Sequence, residues 1–176
     1  MIEIRSIAGK QLTLEPQVAG HADEMFVVLG DPAIYEYENE PPASVEGLRE
    51  RFTRLEGRRS ADGEQLWLNW VVRLRSSGLI GYVQATVFPT GRAAIAYVLA
   101  GKYWGRGLAA EACQAMIAEL AASYGVRTVY AVFKRRNVRS ARLLERLGFA
   151  PALPGSAGVD LQADELLMLR ELNAPE

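Results

Sequence analysis

The chain has 176 residues, 49% of them hydrophobic, which is enough for one domain with a substantial core. Twenty basic against 21 acidic residues leave a net charge of −1, which gives no support to nonspecific nucleic-acid binding. A single cysteine excludes an internal disulfide and a cysteine-based metal cluster, and no metal site is predicted. The apolar runs are too short to cross a bilayer, and the first residues lack a signal-peptide pattern. These features predict a cytoplasmic protein with one domain over residues 1–176 and no membrane or nucleic-acid partner.

The first half of the chain is predicted to begin with strands and continue with two helices. Alternating apolar and polar residues over 2–14 favour one or two short strands with a turn at Gly9-Lys10. Residues 19–29 have helical spacing, and Gly30-Asp31-Pro32 ends that helix. Ser44 is a suitable N-cap for the second helix. The apolar positions of this second helix are Val45, Leu48, Phe52 and Leu55.

Three strands joined by short turns follow. They are predicted over residues 66–74, 79–88 and 93–99, with turns at 75–78 and 89–91. Because each turn is too short for a crossover, the three strands are expected to form an antiparallel meander.

The third of these strands leads into the most informative segment of the chain. After residues 93–99 come Ala100-Gly101-Lys102-Tyr103 and then residues 104–109, which we call the glycine loop. A helix pattern follows the glycines at once. Glycines allow the backbone to approach a ligand closely. The unpaired N–H groups and positive dipole end of a helix N-terminus suit a phosphate or pyrophosphate. The segment therefore predicts an anion-binding site between a strand and a helix.

The rest of the chain alternates between helices and strands. The helix after the glycine loop is expected to end at Tyr124-Gly125, where glycine suits the position after the last turn. A strand over 126–133, a helix over 138–147, a loop over 151–159 and a strand over 165–172 complete the prediction. A meander followed by a crossover helix predicts a mixed α/β sheet with helices on its faces.

Gly105-x-Gly107-x-x-Ala110 also fits a dinucleotide-binding fingerprint. Its position after a meander argues against this interpretation, because the fingerprint belongs on a first strand. The next strand ends in Lys134-Arg135-Arg136 instead of a ribose-binding acid, although basic residues suit a phosphorylated ribose. An NADP-dependent oxidoreductase is therefore kept as an alternative.

Several motifs, taken in order, resemble a known family. Residues 93–111 and 129–149 resemble the GNAT superfamily of acyl-CoA-dependent N-acyltransferases. The clearest part is 137–149, Asn137-Val138-Arg139-Ser140-Ala141-Arg142-Leu143-Leu144-Glu145-Arg146-Leu147-Gly148-Phe149. Leu12-Thr13-Leu14, Gly30-Asp31-Pro32 and Tyr103-Trp104-Gly105-Arg106-Gly107 are similar to the branch that contains the ribosomal-protein N-terminal acetyltransferases. The resemblance covers nearly the whole chain. It implies one domain with a mixed, mostly antiparallel sheet of about seven strands, a splay at strands 4 and 5, and about four flanking helices.

The resemblance implies that acetyl-CoA is the co-substrate. The exposed strand backbone at Val98, Leu99 and Ala100 would pair with the pantetheine arm. The glycine loop would bind the pyrophosphate, with charge added by Arg106. Asn137 would hydrogen-bond the pantetheine end, and Ser140 would stabilise or protonate the departing thiolate. The six pyrophosphate-binding positions are Trp104, Gly105, Arg106, Gly107, Leu108 and Ala109.

The chain departs from the family at two catalytic positions. Leu144 stands where many members have a tyrosine general acid, and Ala94 stands where the branch often has a glutamate. In the family, the loop between the first two helices lines the acceptor pocket, so Glu38 and Glu36 become the candidates for the general base. The same carboxylates could instead attract a cationic acceptor.

These residues predict acetyl transfer from acetyl-CoA to a primary amine, of a protein N-terminus or a small molecule, by direct attack in a ternary complex. A catalytically weak acyl-CoA-binding module is the second alternative. Dimers are frequent in this branch, so a homodimer is one option for its assembly.

Other candidate residues have structural explanations. Asn137 is a favoured helix N-cap, and Cys113 lies on an apolar helix stripe and is expected in the core. His21 is expected at the surface. Arg135 and Arg136 are expected in solvent, with the 3′-phosphate of CoA as a further option.

Overall fold

A computed structural model describes residues 2–173 of the chain. The strands within this range are β1 Ile7–Ala8, β2 Leu12–Pro16, β3 Leu66–Leu74, β4 Gly78–Val87, β5 Arg92–Leu99, β6 Thr128–Lys134, β7 Ala150–Ala152 and β8 Glu165–Glu171. The α-helices are α1 Ala22–Val28, α2 Val45–Leu55, α3 Leu108–Tyr124 and α4 Val138–Arg146. Short 3₁₀ turns lie at Ala19–His21, Pro32–Tyr35 and Gly101–Tyr103. Both predicted early helices, the meander and the later helix–strand–helix order are confirmed.

No helix in the described range is both long and apolar enough to cross a membrane.

All eight strands belong to one sheet, in the order β1-β2-β3-β4-β5-β6-β8-β7. Neighbours pair antiparallel except β5 and β6, which are parallel and connected through α3. The predicted mixed, mostly antiparallel sheet is therefore confirmed. The single parallel pair in this sheet excludes the doubly wound parallel sheet that the dinucleotide interpretation requires.

The sheet has eight strands instead of about seven. Residues 150–152, which overlap the start of the predicted loop 151–159, form β7 because they pair with β8 from Ala150↔Leu169 to Ala152↔Leu167. A three-residue strand that contains a proline carries no alternation signal of its own and depends on its neighbour.

The predicted splay lies between β5 and β6. The two strands pair only from Arg92↔Thr128 to Ala94↔Tyr130 and have no further register beyond that point. In chain order these are the fifth and sixth strands, because the N-terminal segment contributes two. The residues of β5 from 95 to 99 thus present an edge that β6 does not cover.

A glycine on β4 sets the other side of β5. The pairing of β3 with β4 shifts at Val72/Arg73, and Gly81 lies directly after this irregularity. A Cβ atom at Gly81 would lie 1.9 Å from the carbonyl oxygen of Val98 and 2.8 Å from the Cα of Leu99. The end of β5 therefore lies against β4 while it is separated from β6.

Helices cover both faces of the sheet. Along β3, Trp70 and Val72 belong to the core cluster that includes α3 and α4, whereas Val71 packs in the cluster of α1 and α2. This alternation follows from the two-residue period of a strand. These two clusters hold α3 and α4 against one face of the sheet and α1 and α2 against the other.

The sequence predicts a surface position for His21, and its side chain is partly exposed, at 17%. Its Nδ1 accepts a hydrogen bond from the Val18 N–H at 3.1 Å. Its Nε2 lies 3.2 Å from the carboxylate of Glu15, which in turn accepts hydrogen bonds from Arg73.

Candidate functional site

A cavity of about 210 Å³ opens at the splay between β5 and β6. Its walls come from the uncovered half of β5, the end of β6, the glycine loop with the start of α3, the start of α4, and the segment after α1. Chain segments more than one hundred residues apart thus meet at one place, which is where the sequence predicts the donor site.

The glycine loop has an unusual backbone. Gly105 and Gly107 have φ values of +71° and +74°, in the left-handed region, and a Cβ at either position would meet open space. Their requirement for glycine is therefore conformational and not steric. Gly107 is the N-cap of the 17-residue α3, and no side chain caps this helix.

This backbone leaves a row of hydrogen-bond donors free. Within the described part of the chain, no acceptor lies opposite the six consecutive N–H groups of residues 105–110; the first N–H that is bonded belongs to Glu111, which donates to the Gly107 carbonyl at 3.1 Å. Free N–H groups at the positive end of a long helix are the arrangement that binds phosphate groups.

Positive charge reaches this row from α4. The guanidinium of Arg139 lies 3.6 Å from the centroid of the Trp104 ring, and both residues line the cavity. Arg146, two helical turns further along α4, lines it as well. Arg139 therefore brings a cation to the aromatic ring at the start of the glycine loop.

Other basic residues lie elsewhere. Arg106 does not line the cavity; it is exposed and lies 5.7 Å from the centroid of the Tyr103 ring. Arg135 and Arg136 are exposed and also lie outside the cavity wall. Sequence reasoning missed Arg139, because nothing in the local pattern shows that its side chain turns back over the glycine loop.

The uncovered edge of β5 forms one wall. Val98 and Leu99 line the cavity, as does Tyr97. The carbonyl of Leu99 accepts a hydrogen bond from the indole N–H of Trp104 at 2.9 Å, which ties the glycine loop to the strand. Ala100 does not line this cavity, and its N–H donates to the carbonyl of Ile80 at 3.0 Å.

The start of α4 forms the facing wall with Asn137 and Ser140. The side-chain oxygen of Asn137 accepts a hydrogen bond from the Ser140 N–H at 3.1 Å, so Asn137 is the N-cap of α4. No acceptor for its amide N–H groups lies among residues 2–173, and both residues line the cavity. The cap leaves these donors available for a ligand.

Tyr97 is the residue that sequence reasoning missed at this wall. Its hydroxyl is hydrogen-bonded to the Ser140 hydroxyl, across the splay. Burial raises the pKa of Tyr97, so the phenol is neutral around pH 7. Leu144, at the position of the family's tyrosine, is fully buried. Tyr97 thus brings a phenol hydroxyl from β5 to the start of α4, a contact that only the fold shows.

The remaining wall comes from the segment between α1 and α2. Tyr37 and Glu38 line the cavity, whereas Glu36 does not, although both glutamates are exposed. Asp31 holds this segment against the donor side: its carboxylate accepts hydrogen bonds from the N–H of Ala33 at 3.0 Å and of Gly101 at 2.6 Å. Of the two predicted carboxylates, Glu38 is therefore the one that a ligand in the cavity would meet.

Neither Cys113 nor a cluster of metal-ligating side chains among the described residues contributes to this site. Cys113 is fully buried, and burial raises the pKa of its thiol, as expected for a core residue. Within the described range, no group of three or more His, Cys, Asp or Glu side chains is placed to hold a metal ion.

Comparison with known proteins agrees with this geometry. Residues 11–150 match the family model described as acetyltransferase (GNAT) domain. None of the curated proteins compared with the chain matches it.

Solved structures share the fold at low sequence identity. The complex of RimL, a ribosomal L7/L12 alpha-N-protein acetyltransferase, with coenzyme A has a TM-score of 0.79 at 16% identity, covering 97% of this chain and 99% of that one. The ribosomal-protein-S5-alanine acetyltransferase from Vibrio fischeri has a TM-score of 0.79 at 18% identity, with 96% and 97% covered. A spermidine N-acetyltransferase chimera from Vibrio cholerae and hSSAT has a TM-score of 0.75 at 18% identity, with 92% and 96% covered.

Proposed function

The chain belongs to the GNAT acetyltransferase family, and we propose that it transfers the acetyl group of acetyl-CoA to a primary amine by direct attack in a ternary complex. Acetyl-CoA is the donor that GNAT acetyltransferases use. The observation that carries the proposal is the row of six free N–H groups at residues 105–110, which opens on the same cavity as the uncovered edge of β5.

The donor side fits an extended phosphorylated thioester. The free N–H groups and the helix dipole would hold the pyrophosphate, and Arg139 and Arg146 would add charge-assisted contacts. The uncovered edge of β5 at Val98 and Leu99 would pair with the pantetheine arm, which carries amide groups that can extend a sheet edge. The amide of Asn137 would donate to the same arm. Ala100 would contribute through its backbone. Arg106 would contribute from the rim of the cavity.

The chemistry requires a neutral amine, a stabilised oxyanion and a stabilised leaving thiolate. A backbone N–H on the uncovered edge of β5 would donate to the oxyanion. The Ser140 hydroxyl would donate to the departing sulfur. Glu38, directly or through water, would accept the ammonium proton, and the more distant Glu36 would act only through the local field. A buried cysteine without a histidine partner gives no support to a covalent acyl-enzyme.

The acceptor would enter from the side of Tyr37 and Glu38. A carboxylate at this wall favours a cationic acceptor, such as a protein N-terminus, a polyamine or another small-molecule amine. Assembly as a homodimer, a cytoplasmic location and the single-domain organisation stay predictions from the sequence.

Thiol release from acetyl-CoA tests the proposal, with spermidine, an aminoglycoside and peptides with free N-termini as acceptors. We expect turnover with at least one of these amines, and a decrease in kcat of about 100-fold in Ser140→Ala. Glu38→Gln should lower the rate most at low pH, where less neutral amine is available. Glu40→Gln is the matched control, because this carboxylate is exposed in the same segment and does not line the cavity.

Two results would contradict the proposal in different ways. Acetyl-CoA binding without turnover on every amine would instead support an acyl-CoA-binding module. A chain that does not bind acetyl-CoA in isothermal titration would exclude both.

A further inference from the structure

We infer that Tyr97 is a positioning residue for thiolate departure: its hydroxyl donates to Ser140 Oγ and thereby directs the Ser140 proton toward the thioester sulfur. This inference rests on the proposed role of Ser140. It assigns to β5 a part in the reaction that the family pattern places on α4.

The two hydroxyls meet because of the splay. Tyr97 lies on the half of β5 that β6 does not cover, and Ser140 lies in the first turn of α4, 43 residues later in the chain. Ser140 Oγ is the one hydrogen-bond partner of the Tyr97 hydroxyl among the described residues. The backbone of Ser140 is held independently by the Asn137 cap, and the hydrogen bond to Tyr97 places its Oγ against β5.

The acidity of the two groups decides the direction of their hydrogen bond. A hydroxyl has one proton and two lone pairs, so only one member of the pair can donate to the other. A phenol is a stronger acid than an aliphatic alcohol and is the better donor. Tyr97 therefore donates, and Ser140 accepts. The proton of Ser140 is then free to donate a second hydrogen bond into the cavity, which both residues line.

The nearby titratable group does not disturb this assignment. Cys113 is the other ionisable side chain that influences Tyr97, and burial keeps its thiol neutral by raising its pKa. With both groups neutral around pH 7, the phenol retains the proton that it donates to Ser140.

The reaction step balances without a proton being lost from Tyr97. The amine nitrogen attacks the acetyl carbon and forms the C–N bond. The C–S bond then breaks, and the electron pair of that bond goes to sulfur. The Ser140 hydroxyl donates a hydrogen bond to the developing thiolate, while the Tyr97 hydroxyl stabilises the negative charge induced on Ser140 Oγ. The ammonium proton passes to a carboxylate or water, and the thiolate is protonated by solvent on release. An unperturbed thiol has a pKa of about 8.5, so this protonation is favourable at pH 7.

A double-mutant cycle with Tyr97→Phe and Ser140→Ala tests the inference. The readout is kcat for thiol release from acetyl-CoA with the fastest amine of the panel described above. We expect Tyr97→Phe to lower kcat about tenfold and Ser140→Ala to lower it further. Because Tyr97 acts through Ser140, adding Tyr97→Phe to Ser140→Ala should cause no additional loss.

Controls separate this role from packing. The Kd for acetyl-CoA should change less than twofold in Tyr97→Phe, since the ring is retained, and thermal unfolding shows that each variant is folded. Tyr130→Phe is the matched control on β6, since Tyr130 stacks on Phe88 and does not line the cavity. Its kcat should equal that of the wild type.

The outcomes distinguish the two proposals. If Ser140→Ala leaves kcat unchanged, the role of Ser140 is wrong and the inference falls with it. If Ser140→Ala lowers kcat but Tyr97→Phe causes the same fold-loss in both backgrounds, Tyr97 does not act through Ser140; the inference is then overturned, while the role of Ser140 stands.

Discussion

At the scale of single residues, backbone conformation at the glycine loop gives the sharpest prediction. Gly107→Ala places a Cβ on a residue with φ of +74°, which costs about 1 to 2 kcal/mol. If the left-handed conformation is lost, the row of N–H groups loses its orientation. We expect lower stability in thermal unfolding and an increase of at least tenfold in the Kd for acetyl-CoA by isothermal titration.

Gly155→Ala is the matched control for this change. Gly155 has φ of +85°, is exposed, and has no atom within 4 Å of an added Cβ, but it does not line the cavity. Both variants should lose similar stability, and only Gly107→Ala should bind acetyl-CoA more weakly. Equal affinity in the two variants would show that the glycine loop does not hold the donor.

The sequence identified residues whose function depends on local backbone and missed those that depend on tertiary contacts. Gly105, Gly107 and Asn137 lie in a loop or at a helix start, where a short motif determines the conformation. Tyr97 and Arg139 reach the cavity because β5 separates from β6 and the side chain of Arg139 lies over the Trp104 ring. No spacing rule carries that information.

At the scale of elements, the uncovered end of β5 packs closely against β4 at Gly81. Gly81→Ala would place a Cβ 1.9 Å from the carbonyl oxygen of Val98, so one strand must shift. We expect a loss of about 2 kcal/mol in the free energy of unfolding, within the range for overpacked sites. Displacement of Val98 and Leu99 should also weaken acetyl-CoA binding, measured by isothermal titration.

Gly57→Ala gives the comparison for Gly81→Ala. Gly57 is exposed after α2, and its added Cβ would have only an ordinary contact, 3.5 Å from the Arg54 carbonyl oxygen. This variant should be nearly neutral in stability and binding. A Gly81→Ala protein as stable as Gly57→Ala would contradict the packing described for the end of β5.

The elements that the sequence predicted correctly have strong local signals. The helix after Ser44 has its cap and apolar spacing, and the Ser44 hydroxyl accepts from the Gly47 N–H at 3.0 Å. The helix after the glycine loop ends at Gly125 with φ of +65°, as its glycine suggested. β7 lacks such a signal, because its three residues become a strand only through pairing with β8.

At the scale of the whole molecule, an ion-pair network at Glu15 links stability to pH. Arg73 donates hydrogen bonds to this carboxylate at 2.5 and 3.3 Å, and His21 is a second partner. Arg73 thereby holds the pKa of Glu15 below its usual range, although partial burial acts in the opposite direction. The stabilisation is present above the ordinary pKa of a glutamate and is lost as pH falls through the lower pKa of the folded state.

Glu15→Gln should therefore reduce the free energy of unfolding by about 0.5 to 1 kcal/mol at pH 7, measured in urea. The difference from the wild type should shrink toward pH 3. Glu50→Gln, at an exposed position on α2, should change stability little at either pH. A Glu15→Gln deficit that is the same at pH 7 and pH 3 would show that the network does not contribute through the carboxylate charge.

The site also belongs to the whole molecule, because its two sides come from distant segments. The donor side uses residues 95–146, whereas the acceptor side uses the segment after α1, held by the bond from Gly101 to Asp31. The sequence predicts each side from its own motifs. Their relative placement follows from the order of strands in the sheet.

Amide hydrogen exchange with and without acetyl-CoA tests the central claim most directly, because the proposed donor site consists largely of backbone N–H groups. Residues 105–110 have no acceptors within the described structure, so their amides should exchange rapidly in the free protein. Saturating acetyl-CoA should slow exchange in peptides that cover 105–110 and the uncovered half of β5. Unchanged exchange in these peptides, despite acetyl-CoA binding, would contradict the donor site described here.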